Sequence, residues 1–118
     1  MKVTSVAPIF RMFDVAKARE HYLDYLGFSI VFEHRFDPDA PLYMGVEWNG
    51  FHVHLSEHYG DATPGSSVRV EVDDLTKFHA DLPAYKYARP GILEQSWGMR
   101  EVQIADPFLN KLIFCQDM

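Results

Sequence analysis

Apolar positions recur along this chain in two rhythms, one of two residues and one of three to four. Val53 and Leu55 alternate with His52, His54 and Ser56, and Val68, Val70 and Val72 alternate with Arg69 and Glu71. That period of two marks half-buried strands. Residues 3–10, 28–34, 42–48, 99–105 and 111–116 read as strands on similar grounds, with Pro8 placing the first at an edge or a bend. Within 28–34 the alternation sets Phe28, Ile30 and Phe32 against Ser29, Val31 and Glu33. Val15, Ala18, Tyr22 and Tyr25/Leu26 recur at helical spacing between Asp14, a good N-cap, and Gly27, a good C-cap. The spacing therefore predicts a helix over 14–26. Leu75, Phe78 and Leu82 share one face of a second helix, begun at Asp73 or Asp74 and ended by Pro83.

The turns fit between these elements. Asn49-Gly50 is a strong hairpin signal, and Asp106-Pro107 makes the last turn. Tyr87 begins a short strand-like piece that breaks at Pro90-Gly91. The order is strand, helix and three strands, and then the same again. The chain reads as one α+β domain over residues 1–118, built of two βαβββ modules at about 1–58 and 67–118, joined by a turn-rich linker at about 59–66. Neither module closes a core alone, so the halves must pair. Each is expected to give a curled sheet with its helix outside and a concave inner face, and the inner faces to share a cavity.

Composition narrows the function. A chain of 118 residues with 47% hydrophobic and 24% charged residues is ordinary for a water-borne domain. No apolar run reaches the roughly 18 residues of a membrane span. The N-terminus reads as strand rather than signal peptide, and the single cysteine, Cys115, forms no intrachain disulfide. These features predict a cytoplasmic protein. A net charge of -6 argues against nucleic acid and suits a cationic or neutral small ligand.

Candidate chemistry centres on residues 51–58, which hold three of the six histidines. His52 and His54 share a strand face about 7 Å apart. They can hold one divalent metal together, or line one pocket. Glu71 and Glu101 are candidate inward carboxylates, with Arg69 and Gln103 on their faces. There is no Gly-rich phosphate loop, nucleophile elbow or His-Glu-x-x-His helix. Cys115 has no adjacent histidine to activate it. Tyr22, Phe28, Phe78 and Phe114 fit core positions. Trp97, in the loop Gln95-Ser96-Trp97-Gly98, does not, and Phe36 and Tyr43 flank the Asp37-Pro38-Asp39 loop.

Three stretches carry a family resemblance: Phe13-Asp14 through Tyr22-Leu23-Asp24-Tyr25-Leu26-Gly27-Phe28, Val70-Glu71-Val72-Asp73-Asp74-Leu75, and Asp106-Pro107-Phe108-Leu109-Asn110-Lys111-Leu112. With the order of elements they resemble the vicinal oxygen chelate superfamily of glyoxalase I, extradiol dioxygenases, and fosfomycin and bleomycin resistance proteins. The pieces at 54–58, 87–91 and 95–98 are similar to bacterial glyoxalase/bleomycin resistance proteins. Leu109 departs from the family's usual glycine.

The resemblance implies four inward metal-ligand positions, which fall here on Ala7, His54, about Ser67 and about Ile113. Only His54 can hold a metal, whereas a catalytic zinc usually takes three protein ligands. A rearranged set of His54 with His52 or Glu57 is the alternative. It would bind a divalent ion such as Zn, Fe, Mn or Ni for lyase, isomerase or dioxygenase chemistry, with Glu71 or Glu101 as base. The first expectation is a metal-free homodimer of the bleomycin-resistance type, with pockets at the dimer interface. There Phe36, Tyr43, His52, His54, Arg69, Glu71, Trp97, Glu101 and Gln103 would sequester a flat or cationic molecule, bleomycin-like or otherwise, by stacking and charge.

Overall fold

The computed structural model describes residues 1–84 and 89–118. Two four-stranded mixed sheets, one per module, form the framework. The first contains β1 (Ile9–Arg11), β2 (Ser29–His34), β3 (Tyr43–Trp48) and β4 (Phe51–Ser56), in the spatial order β1-β4-β3-β2. The second contains β5 (Ser67–Glu71), β6 (Leu93–Glu94), β7 (Met99–Ala105) and β8 (Lys111–Asp117), in the equivalent order β5-β8-β7-β6. In each sheet the first strand runs parallel to the last, and the remaining pairs are antiparallel.

The first helix is in two parts. An α-helical turn, α1 (Val15–Arg19), is capped by the Asp14 side chain, which accepts from Lys17 N at 3.0 Å. It widens into a π-helical segment, Glu20–Tyr25, closed by Leu26 N–H donating to His21 O. The second helix, α2 (Leu75–Asp81), is capped by Asp74 in the same manner. The Asn49-Gly50 turn has φ of 49° and 86°, the left-handed pair that a two-residue hairpin requires.

Two sequence expectations are corrected. The first strand is three residues long rather than eight. Pro8 still accepts from His54 N–H at 2.9 Å, but residues 1–6 are exposed and unpaired. Strand β2 does not alternate regularly, because its pairing with β3 slips between Ile30 and Phe32. Ile30 lies opposite Val46 and Phe32 opposite Gly45, so this bulge puts the two side chains on opposite faces. Strand β6 was not foreseen, and the strand-like piece at Tyr87 lies outside the described residues.

One face of each sheet packs into a core continuous across both modules. Phe10, Met44, Val46, Val53 and Leu55 come from the first sheet, and Val102, Ile104, Leu112 and Phe114 from the second. Trp48 bridges the modules, with its ring 5.6 Å from Phe78 and 5.5 Å from Phe114. Buried polar bonds fix the same junction. Tyr22 donates to Asp106 Oδ2 at 2.7 Å, and Asn110 Nδ2 donates to Arg11 O at 2.8 Å. The other face of each sheet stays open. The result is a plate of 47 × 44 × 23 Å with a radius of gyration of 14.9 Å, against about 13.5 Å for a rounder chain of this length.

Candidate functional site

Alternation along β4 sends Val53 and Leu55 into the core and His52 and His54 onto the open face of the first sheet. His54 lies opposite Gly45 on β3 and Ile9 on β1. Gly45 in turn lies opposite Phe32, and a Cβ built on Gly45 would fall within the Phe32 ring. The missing side chain lets Phe32 lean over the sheet. Its ring meets His54 edge-on at 5.2 Å and stacks along Tyr43 at 6.1 Å. Tyr43 Oη lies 2.7 Å from His54 Nδ1. Burial, and then the nearby Asp61, raise the Tyr43 pKa, so the phenol keeps its proton. Burial, and then His52, lower that of His54. The assignment in which Tyr43 donates leaves the ring proton on Nε2.

The remaining first-module candidates are scattered. Phe36 is 80% exposed and meets His34 and His58 edge-on at 4.9 and 6.1 Å. Glu57 turns back to its own loop, where Oε1 accepts from Leu42 N at 2.9 Å and lies 3.8 Å from Arg35.

On the second sheet Glu101 is buried at the floor of the open face. Its carboxylate accepts from Arg69 Nη1 at 2.7 Å, Gln95 Nε2 at 3.1 Å and Gln103 Nε2 at 3.2 Å. The Arg69 hydrogen bond is the main cause of its lowered pKa. The sequence reading paired Glu101 with Glu71. In the structure its partner is Arg69, which neutralises it, while the Glu71 side chain is exposed. Arg69 is half-exposed and keeps donors free for a ligand. Gly98, at φ 87°, closes the β6–β7 turn by donating to Gln95 O, and Trp97 stands at its tip, 64% exposed. Cys115 is buried opposite Glu101, and burial raises its thiol pKa, which makes it a poor nucleophile.

Within one chain the donor set around His54 does not make up a divalent-metal site. The neighbours of His54 across the sheet are Gly45, Ile9 and Phe32, and Nδ1 is engaged by Tyr43. Among the described residues no three His, Cys, Asp or Glu side chains converge. Phe32 and Gly45 are the site residues that the sequence reading missed. Regular alternation puts Phe32 on the face of Ile30, and nothing in the sequence marks the bulge.

The two open faces are not brought together within one chain, since the strands of one sheet make no extended contact with those of the other. Arg69, Glu101 and Gln103 line one face, with Trp97 exposed in the adjoining β6–β7 turn, and Tyr43, His52 and His54 line the other.

The fold recurs in solved structures. A bleomycin-binding protein complexed with bleomycin superposes with a TM-score of 0.69 at 21% identity, over 98% of this chain and 100% of that one. A glyoxalase/bleomycin resistance protein from Streptomyces sp. CB03234 gives 0.71 at 20% identity, over 96% and 100%. An antibiotic-binding protein from the same Streptomyces gives 0.73 at 19%, over 100% and 99%. A search of curated proteins finds no match. The sequence profile described as glyoxalase superfamily protein matches residues 1–118. The chain therefore belongs to the glyoxalase superfamily and shares its fold with these bleomycin-binding and glyoxalase/bleomycin resistance proteins.

Proposed function

We propose that this protein binds a small flat or cationic molecule without a metal, as a homodimer in which the first-sheet face of one chain opposes the second-sheet face of its partner. The observation that carries this reading is the pair of open sheet faces, each holding half of a site. Phe32, Tyr43 and His54 form an aromatic wall that includes one imidazole. Trp97 and Arg69 offer a stacking ring and hydrogen-bond donors. Ile9, Phe32, Leu93 and Trp97 leave these faces 39%, 39%, 48% and 64% exposed, apolar area that a second copy would cover. A flat ligand would lie between Trp97 and the Phe32–Tyr43 stack. The exposed Glu71 and the net charge of -6 favour a positive one.

Similar proteins supply the first probe, since one of them is bleomycin-bound. Metal-free bleomycin would be titrated calorimetrically, followed by a panel of flat cationic compounds, with the mass in solution measured by light scattering. The reading expects a dimer and a saturable ligand whose affinity drops roughly 5- to 150-fold in Trp97→Ala. A monomer, or binding indifferent to both Trp97 and His54, would remove it.

A further inference from the structure

A second cleft lies at the junction of the modules, along the edge strand β5. It runs between the β3–β4 turn and α2 and encloses about 950 Å³, the scale of a drug-sized site. Its apolar wall contains Trp48, Phe51 and Phe78, all half-buried. These rings are held from behind. Phe78 stacks on Phe114 at 4.1 Å, and Trp48 stacks on Phe28 at 6.1 Å.

The rim has the opposite character. Glu71, Asp73, Asp74 and Asp81 border the cleft, and Lys77 is the only basic side chain among its described lining residues. Lys77 is already committed, with Nζ 2.6 Å from Asp81 Oδ2. Among the described lining residues four carboxylates against one ammonium leave three negative charges in excess beside half-buried aromatic faces. Asp74 has a structural task as the cap of α2, whereas among the described residues Asp73 is bound through its backbone carbonyl, which accepts from Gln116.

Aromatic faces attract cations, and the attraction grows as the cation loses water. Carboxylates at the rim of a low-dielectric cleft concentrate positive charge there. A neutral apolar compound would satisfy the rings but leave the carboxylates unpaired, and a metal ion would find no converging ligands. We propose that this cleft is a second binding site, for an organic monocation with an apolar body, such as a quaternary or aromatic ammonium compound.

The two tryptophans make the sites distinguishable, because Trp48 lines this cleft and Trp97, exposed in the β6–β7 turn, does not. Full-length ¹⁵N-labelled protein gives two indole N–H signals, assigned with Trp48→Phe. Benzyltrimethylammonium is the probe, and benzyl alcohol the same ring without the charge. The expected result is a saturable shift of the Trp48 signal with Trp97 unmoved, and little response to benzyl alcohol. The double variant Asp73→Asn/Asp81→Asn, which spares the Asp74 cap, should keep the remaining spectrum and bind at least about fivefold more weakly. An unmoved Trp48 signal, equal response to benzyl alcohol, or unchanged affinity in the double variant overturns the proposal. A shift of Trp97 alone also overturns it and assigns the cation to the sheet faces.

Discussion

Tyr43 Oη and His54 Nδ1 lie 2.7 Å apart under the ring of Phe32, and this contact decides what His54 can do. One ring nitrogen is occupied, and the strand neighbours offer no further ligand. Purified protein, untagged and prepared without chelator, is expected to carry no stoichiometric Zn, Fe, Mn or Ni by elemental mass spectrometry. About one metal per chain, lost in His54→Ala, would point instead to metal-dependent chemistry.

Gly45→Ala separates the site from the fold. The added methyl meets the far end of the Phe32 side chain, which is 39% exposed and free to swing outward. The thermal midpoint should drop by only a few degrees, corresponding to about 1 kcal/mol or less. The aromatic wall over His54 would be lost, so ligand affinity should fall well beyond what the stability change explains. Equal affinity in the variant would take Phe32 out of the site.

Tyr22→Phe tests the junction of the modules. It removes the hydroxyl that donates to Asp106 Oδ2 and leaves a buried carboxylate with Asn110 and two backbone N–H donors. Denaturant unfolding should show a loss of about 1–3 kcal/mol. A change under about 0.5 kcal/mol would mean that water replaces the phenol without penalty.

His21, 1% exposed, has its pKa pushed down to about 4 by burial, with Glu20 opposing. The unfolded chain, with an ordinary imidazole near 6.5, therefore binds the proton more readily than the folded one. The associated stability is complete above about pH 6.5 and is lost as pH falls towards 4, on the order of 3 kcal/mol. Glu101, held low by Arg69, loses stability in the same direction in the carboxylate range, and Asp106, raised by burial, opposes it. The difference between wild type and His21→Gln in urea midpoints at pH 7 and pH 4.5 isolates the histidine. A parallel drop in both proteins would assign the acid sensitivity elsewhere.

Leu109 stands at φ 68°, in the left-handed region, with its side chain 73% exposed. Leu109→Gly should relieve about 1–2 kcal/mol of strain and return about half of that as chain entropy. The thermal midpoint should rise by a few degrees. A lower midpoint would show that the leucine contributes packing that its exposure conceals.

How much of this was readable beforehand depended on whether the signal was local. Asn49-Gly50, the Asp14 and Asp74 caps and the alternation of β4 and β7 are read from a few adjacent residues, and each formed where expected. The β1 boundary was not local: residues 3–8 have strand composition, but β4 takes up only the end of that run. Phe32 was misassigned because a bulge reverses every side chain beyond it. Glu101 was readable as an inward carboxylate, but its neutralisation by Arg69, 32 residues away, depends on strand register.

Pro8, at the base of the N-terminal arm, and the C-terminal Met118 lie beside the two half-sites. Pro8 O accepts from His54 N–H, and Met118 N donates to Gly98 O, next to Trp97. A segment fused to either end is thus tethered against a sheet face. The seven residues before Pro8 span at most about 25 Å, enough for a polyhistidine tag to fold back over His54. Such a tag would bring in its own imidazoles and metal, and would compete with a ligand or with the partner chain. Affinity, metal content and assembly state measured on tagged protein would then report the tag, so cleavage belongs before the first assay.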